Sequence, residues 1–451
     1  MAAEGRALGH HEGKVIFVDY AVPGDIVKVQ TTTSKKDYAV ASILELKTPA
    51  PYRQDIACEH FGTCGGCRWQ HVPYEQQLVF KQQLVEEAFQ RIGHLQYPDI
   101  QPIMGAPSVY HYRNKMEYTF SNRGWLTQEQ IDSGADLDRR ALGFHVPGRF
   151  DGVMQINTCY LQDTPGNLIR NFVHQFAVQN DYTFYNVKSH EGFMRNLIMR
   201  NNISGEWMVT ISFGENDVES ITKLLDALKN EFPQIISLNY VYNPKKNDTL
   251  YDLEIVNYHG AAYLTETLDN IKYKIGPKSF FQTNSRQAKN LYDVVRRMAT
   301  IRPTDTVYDL YTGTGSIALY VAQTAQKVIG IETVEEAIED AKFNMQLNNI
   351  QNTTFLAAPV EKIMDEEFIR KNGRPDVVIT DPPRAGMHEK VIEVLLGAAP
   401  KQIVYVSCNP ATQARDLHLL SEKYEILEVQ PVDMFPNTFH IENVVNLKLK
   451  E

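Results

Sequence analysis

Five cysteines are the side chains of this 451-residue chain best suited to covalent or metal chemistry, and their spacing sorts them into two groups. Cys408 stands alone in Ile403-Val-Tyr-Val-Ser-Cys-Asn-Pro410. The apolar and aromatic run predicts a buried strand, and the polar turn closed by Pro410 predicts where it ends. Ligands of open α/β sheets bind at that carboxyl edge, so a thiol there can meet a substrate. A lone free cysteine more often serves as a small buried hydrophobe; the motifs on either side of Cys408 favour a nucleophile. The second group is Cys58-x5-Cys64-Gly-Gly-Cys67, whose glycines let the backbone turn tightly around a bound ion or cluster. Soft thiolates suit zinc or an iron-sulfur cluster, and Cys159 is the remaining cysteine able to supply a fourth ligand. The spacing differs from the three-cysteine pattern of radical enzymes.

These residues need elements to position them. Thr306–Leu310 is expected as a strand running into Tyr311-Thr-Gly313-Thr-Gly315-Ser, with a helix from Ile317 and a second strand, Val328–Ile331, ending at Glu332. Such a βαβ unit brings glycine backbone close to a ligand and places an acid where ribose hydroxyls are held. It suits a nicotinamide cofactor and S-adenosylmethionine alike. Asp381-Pro-Pro-Arg-Ala-Gly386 then sets a rigid carboxylate-bearing lip at the next strand end, for which hydride transfer has no evident use. Upstream, alternation at 14–18, 26–30 and 38–46 predicts a small β module over residues 1–48. Apolar spacing from Pro73 to Ile92 predicts a helix ended by Gly93. Strands are expected at 116–120, 208–213, 235–242 and 253–256. Among them Arg113, Lys115, Arg195 and Arg200 alternate with tyrosines such as Tyr112 and Tyr118, a mixture that suits single-stranded RNA or an ordinary charged sheet face.

Length predicts several domains, and 43% apolar residues with a mean hydropathy of −0.34 predict a soluble globular protein. No apolar run reaches the ~18 residues of a membrane span, and the charged first residues do not read as a secretory signal, so a cytoplasmic location is expected. A net charge of −10 confines any phosphate contact to local patches.

Seven motifs in one order carry a resemblance. Cys58-x5-Cys64-Gly-Gly-Cys67, Tyr112-Arg-Asn-Lys115, Phe280-Phe-Gln282, Asp309-Leu-Tyr-x-Gly-x-Gly315, Asp381-Pro-Pro-Arg-Ala-Gly386, Ser407-Cys-Asn-Pro410 and Phe435-Pro-x-Thr-x-His-x-Glu442 together closely resemble the RNA uracil-5-methyltransferases that use S-adenosylmethionine. The resemblance covers essentially the whole chain, and within the family it points to the branch that has a TRAM domain and a [4Fe-4S] cluster and modifies 23S ribosomal RNA. It implies an α/β architecture: an N-terminal OB-like β-barrel (TRAM) at 1–48, an α+β central iron-sulfur domain at 49–270, and a Rossmann-like class I methyltransferase domain at 271–451. The 73–92 helix is implied to pack on the last of these. The family's module usually has another strand ahead of the point where this chain starts, so the expectation is either that the first strand is missing or that this start is truncated. By the same resemblance Cys408 is the nucleophile and Glu442 the base, Gln282, Tyr311, Glu332 and Asp381 hold the cofactor, and Cys58, Cys64, Cys67 and Cys159 hold the cluster. A looped or single-stranded RNA is the implied partner, ribosomal before transfer RNA, with the enzyme a monomer.

The chemistry explains these residue types. Carbon 5 of uracil is a poor nucleophile until a thiolate adds to carbon 6 and loads electron density onto it, after which a base must remove the carbon 5 proton. Cys408 is therefore expected in an electropositive or dipole-favoured spot that raises its thiolate fraction. Two other readings compete: an amino-group methyltransferase, which would leave Cys408 idle, and a non-catalytic RNA-binding or assembly factor on the same fold.

Overall fold

Alternating strand and helix periods in the last third build one seven-stranded sheet in the computed structural model, which describes residues 1–451 apart from the side chain of Ala3. Its strands lie in the order Thr353–Ala357, Lys327–Glu332, Thr306–Leu310, Val377–Thr380, Gln402–Ser407, Glu442–Leu449, Tyr424–Val432. The first five run parallel; Glu442–Leu449 inserts antiparallel between Gln402–Ser407 and Tyr424–Val432. Period-two alternation sends Val404 and Val406 to one face and Ile403 and Tyr405 to the other, into two separate apolar cores. Each of these four side chains is fully buried, worth on the order of 2 kcal/mol apiece. Helices Ser285–Ala299, Ser316–Ala322 and Glu335–Leu347 cover the first face; Glu389–Ala398 and Pro410–Leu420 cover the second.

A helix from much earlier in the chain joins that second face. Tyr74–Ala88 continues into a π turn, Phe89–Gly93, and contributes Val85, Ala88 and Phe89 to the core beneath it. The residue that ends the helix in the left-handed region is His94 (φ 46°), not Gly93 as its sequence position suggested. Gly93 serves close packing: a Cβ there would lie 3.0 Å from the Ala414 carbonyl oxygen. Lys81 on this helix and Asp433 form a fully buried ion pair at 2.6 Å.

The central residues form a second seven-stranded sheet whose core holds Trp207, Val209, Ile211, Leu224 and Leu228. The expected strand at 253–256 is found later, at Val256–Gly260, because the Tyr251 and Leu253 carbonyls turn to accept from Lys278 Nζ. Residue 270, the expected domain boundary, lies in the turn of a hairpin, Leu264–Leu268 with Ile271–Ile275, whose side chains pack in the catalytic sheet's core. Arg195 and Arg200 are 1% and 3% exposed, so neither faces RNA. Arg195 donates to the Asn243 and Asn247 carbonyls and Arg200 to that of Ser279, bracing loops instead.

At the N-terminus four strands, Ala7–His11, Lys14–Asp19, Ile26–Ser34 and Tyr38–Thr48, form a sheet with one parallel pair. The Ala7–His11 strand has no β-branched residue and was not signalled by alternation. This module rests on Trp69, whose Nε1–H donates to the Gly5 carbonyl at 3.1 Å. No helix is long and apolar enough to cross a membrane.

Candidate active site

The carboxyl edge of the catalytic sheet opens into a cavity of about 1420 Å³. Its walls include Gln282, Tyr311, Glu332, Asp381, Cys408 and Glu442, the six side chains outside the cysteine cluster that the sequence singled out. The register explains why they meet. Leu310 pairs with Thr380, so Tyr311 and Asp381 each follow a strand end, and the Asp381 N–H donates to the Leu310 carbonyl at 3.3 Å. Ser407 pairs with Asn443, which brings Cys408 and Glu442 together from antiparallel neighbours.

The glycine loop is built as a cradle. Tyr311, Gly313 and Gly315 all have positive φ (62°, 55° and 77°), a conformation glycine adopts freely. A Cβ on Gly313 would meet open space, whereas one on Gly315 would sit 2.7 Å from Phe355 Cζ. Beneath the loop, fully buried Asp309 accepts from Thr312 Oγ1 (2.5 Å) and Ala318 N (3.0 Å). Glu332 accepts from Gly313 N at 3.1 Å through one oxygen and from Thr333 N and Val334 N through the other. Gln282 does not cap the following helix; Asn284 does, while the Gln282 carbonyl accepts from Asn114.

Cys408 is half-buried directly before the Pro410–Leu420 helix, which Asn409 caps. Its place before a helix start is the dipole-favoured one of the two expected settings, but the side chains around it are not electropositive: burial first, then the Glu442 and Asp381 carboxyls, push the thiol up to about 11, against a weaker opposing pull from Arg384. The reason is long-range, since both acids come from other strands. Burial likewise raises Glu442 well above the usual carboxylate range, reinforced by Asp381, and raises Asp381, reinforced by Asp309. Ionisation of the two carboxyls and of the thiol is thus costly in this cavity, and each charge formed there opposes the next.

Three further side chains line the cavity, each inside a motif noted in the sequence without a role. Arg384 Nη2 donates to His440 Nδ1 at 3.0 Å, and the Arg384 carbonyl is held by Asn409 Nδ2 and Thr412 Oγ1. Phe280, 71% exposed, stands at the rim.

A cysteine group packs beside Phe435 of the Phe435–His440 loop. Tyr112 packs with Cys67 and Cys159, and its hydroxyl donates to the Pro436 carbonyl at 3.0 Å. Cys58, Cys64, Cys67 and Cys159 lie near enough for their charges to act on one another; burial, with this mutual repulsion, pushes Cys67 up to about 12. Among the described residues, no three or more His, Cys, Asp or Glu side chains converge on a single-ion position.

A family model described as tRNA (Uracil-5-)-methyltransferase matches residues 199–450, more than half of the chain, and a TRAM domain model matches residues 2–44. The chain belongs to the RNA uracil-5-methyltransferase family. An uncharacterized RNA methyltransferase of Bacteroides thetaiotaomicron is 49% identical over the full length of both chains. Another, from Chlorobaculum tepidum, is 41% identical, covering 96% of this chain and 91% of that one. Among solved structures, this RNA methyltransferase resembles the Pyrococcus abyssi tRNA (uracil-54, C5)-methyltransferase in complex with S-adenosyl-L-homocysteine, with a TM-score of 0.76, 29% identity, and coverage of 98% and 97% of the two chains.

Proposed function

We propose that this member of the family methylates carbon 5 of a uridine in 23S ribosomal RNA, taking the methyl group from S-adenosylmethionine through a covalent bond between Cys408 and carbon 6. The observation that carries this reading is the meeting of Cys408 and Glu442 on adjacent strand ends, in one cavity with the Gly313 cradle and Glu332. The cofactor fits the residues present: open space above Gly313 admits it, Glu332 offers a carboxylate to ribose hydroxyls, and the acidic wall of Asp309, Asp381 and Glu442 suits a cationic sulfonium. When bound, it supplies an electrophilic methyl group. Gln282 and Tyr311 line its berth, and Asp381 borders both cofactor and base.

Cys408 gives up its proton to Asp381, leaving Glu442 ionised for the later step, and its sulfur adds to carbon 6, shifting the ring's π electrons toward carbon 5 and the carbon 4 oxygen; Asp381 returns that proton when the sulfur leaves. Carbon 5 takes the methyl group. Glu442 then accepts the carbon 5 proton, and the returning electron pair expels the Cys408 sulfur. A carboxyl raised by burial is suited to hold that proton. The half-buried sulfur requires the base to leave its stack, which costs least in a loop.

Cys58, Cys64, Cys67 and Cys159 are assigned to a [4Fe-4S] cluster, whose cube spaces its ligands further apart than one ion does. As-purified protein handled without oxygen should be brown with about four irons per chain; stoichiometric zinc in colourless protein would overturn the assignment. The ribosomal target rests on this cysteine motif, and the division into units at 1–48, 49–270 and 271–451, with a monomeric, cytoplasmic enzyme, follows the same reading. A transfer RNA target is the second reading, favoured by the activity of the Pyrococcus abyssi neighbour. Incubation with each RNA carrying 5-fluorouridine tests both. A stable adduct with wild type, none with Cys408→Ala, and its position in the RNA decide chemistry and substrate; no adduct with either RNA refutes the uracil reading.

A further inference from the structure

Among the residues assigned so far, only the Gln282 amide and the Tyr311 hydroxyl could donate to the charge created by sulfur addition, and both are assigned to the cofactor. When sulfur bonds to carbon 6, the electron pair released reaches the carbon 4 oxygen, and stabilising such an oxyanion is usually the largest single term in catalysis of this kind. Cys408, Asp381 and Glu442 are acceptors or potential anions and would oppose it. His440 is different. It lines the same cavity, two residues before Glu442, with its ring against Phe439 at a centroid distance of 4.2 Å. Arg384 Nη2 lies 3.0 Å from its Nδ1. A guanidinium can only donate, so the ring nitrogen facing it must be a lone pair, and the proton of the neutral ring must sit on the other nitrogen. That second nitrogen has no protein partner among the described residues and is not sealed from solvent. Burial first, then Arg384, Lys81 and Arg113, lowers this ring to about 4, in keeping with a neutral imidazole.

We propose that His440 donates its Nε2–H to the uracil carbon 4 oxygen as Cys408 adds to carbon 6, with Arg384 as the positioning residue that fixes the donor tautomer. The same tautomer excludes His440 as the acceptor of the carbon 5 proton, because its one lone pair is taken. Arg384 is placed for this by the stretch that follows the nucleophile: its carbonyl is held by Asn409 Nδ2 at 3.0 Å and Thr412 Oγ1 at 3.1 Å. Asp416 on the same helix accepts from Met387 N at 2.8 Å, closing the Gly386 turn (φ 83°) that leads away from Arg384. Donor, guanidinium and sulfur are therefore parts of one braced unit.

The inference rests on the uracil-5 reading, and wild type serves as the check on it: absence of adduct with 5-fluorouridine RNA refutes that reading before any variant is compared. Two substitutions separate donation from packing. His440→Phe keeps the ring against Phe439 and removes the donor; His440→Gln keeps an N–H near the Nε2 position and removes the ring. Adduct formation is timed in single turnover, alongside RNA affinity by anisotropy. Donation predicts a roughly 100- to 1000-fold slower adduct for His440→Phe at unchanged RNA affinity, with His440→Gln at least about tenfold faster than His440→Phe. Equal rates in the two variants, a faster His440→Phe, or a slowing matched by lost RNA affinity would each overturn it.

Discussion

Cys408 rests as a thiol because the groups that serve the later steps of the proposed reaction oppose its ionisation. Burial and the neighbouring Glu442 and Asp381 carboxyls raise it to about 11, so its alkylation by iodoacetamide at pH 8, mapped by peptide mass spectrometry, should be slower than that of a free thiol and rise as pH approaches that value. Glu442→Gln removes one opposing charge and should speed the alkylation; an unchanged rate would mean that burial alone sets the shift. Glu442 and Asp381 also bear on stability. Their folded pKa values lie above the unfolded ones, so folding takes up protons between the two, and stability is full below about pH 4 and declines as pH rises through the raised values. Ligand-free Glu442→Gln should therefore melt higher than wild type at pH 8, with the gain shrinking toward pH 5. The raised thiol was not legible in the sequence, where an electropositive or dipole-favoured spot was the natural expectation. Cys408, Asp381 and Glu442 are 27 and 34 residues from one another along the chain, and only strand pairing makes them neighbours. His440 and Arg384 were visible within their motifs, but their contact was not.

Elements built from local rules could be read, and those built from distant partners could not. Strands at 306–310, 328–331 and 403–407 carry dense β-branched and apolar runs, and the structure places them within a residue or so of those bounds. The Asn409 cap and Pro410 at the start of the last helix follow equally local chemistry. The Tyr74–Ala88 helix was legible as a helix, yet its partner Asp433 stands more than 350 positions away. That ion pair is fully buried, so Lys81→Met alone leaves an uncompensated carboxylate and should cost roughly 3–5 kcal/mol in urea unfolding. Pairing it with Asp433→Leu should recover most of the loss. Gly315→Ala tests the cradle: the positive φ and the 2.7 Å approach to Phe355 forbid a side chain, so cofactor affinity measured by calorimetry should fall with stability.

The molecule as a whole is joined around the Phe435–His440 loop. Arg68 and Trp69 N–H groups both donate to the Asn437 carbonyl, Gln77 accepts from Asn437 N, and Tyr112 holds Pro436. Gly5 of the N-terminal module approaches Phe439 and Trp69. Deleting residues 1–48 should therefore lower the melting temperature as well as RNA affinity, because it uncovers Trp69 and the flank of the loop; loss of RNA affinity alone would mean that the module is an independent tether. The plan of three larger sheets was visible in changes of sequence period, whereas the two-stranded hairpin was not, and the stapling between the sheets depends on backbone groups that carry no signature.

The insertion of Glu442–Leu449 between two earlier strands also sets an order of manufacture. A ribosome extrudes Cys408 well before the acid that faces it, and the gap between Gln402–Ser407 and Tyr424–Val432 stays unfilled until Glu442–Leu449 has been made. A chain made only as far as residue 441 accordingly has its sulfur without the carboxyl proposed to serve it, so under the proposed reaction a nascent polypeptide of that length is chemically silent toward RNA.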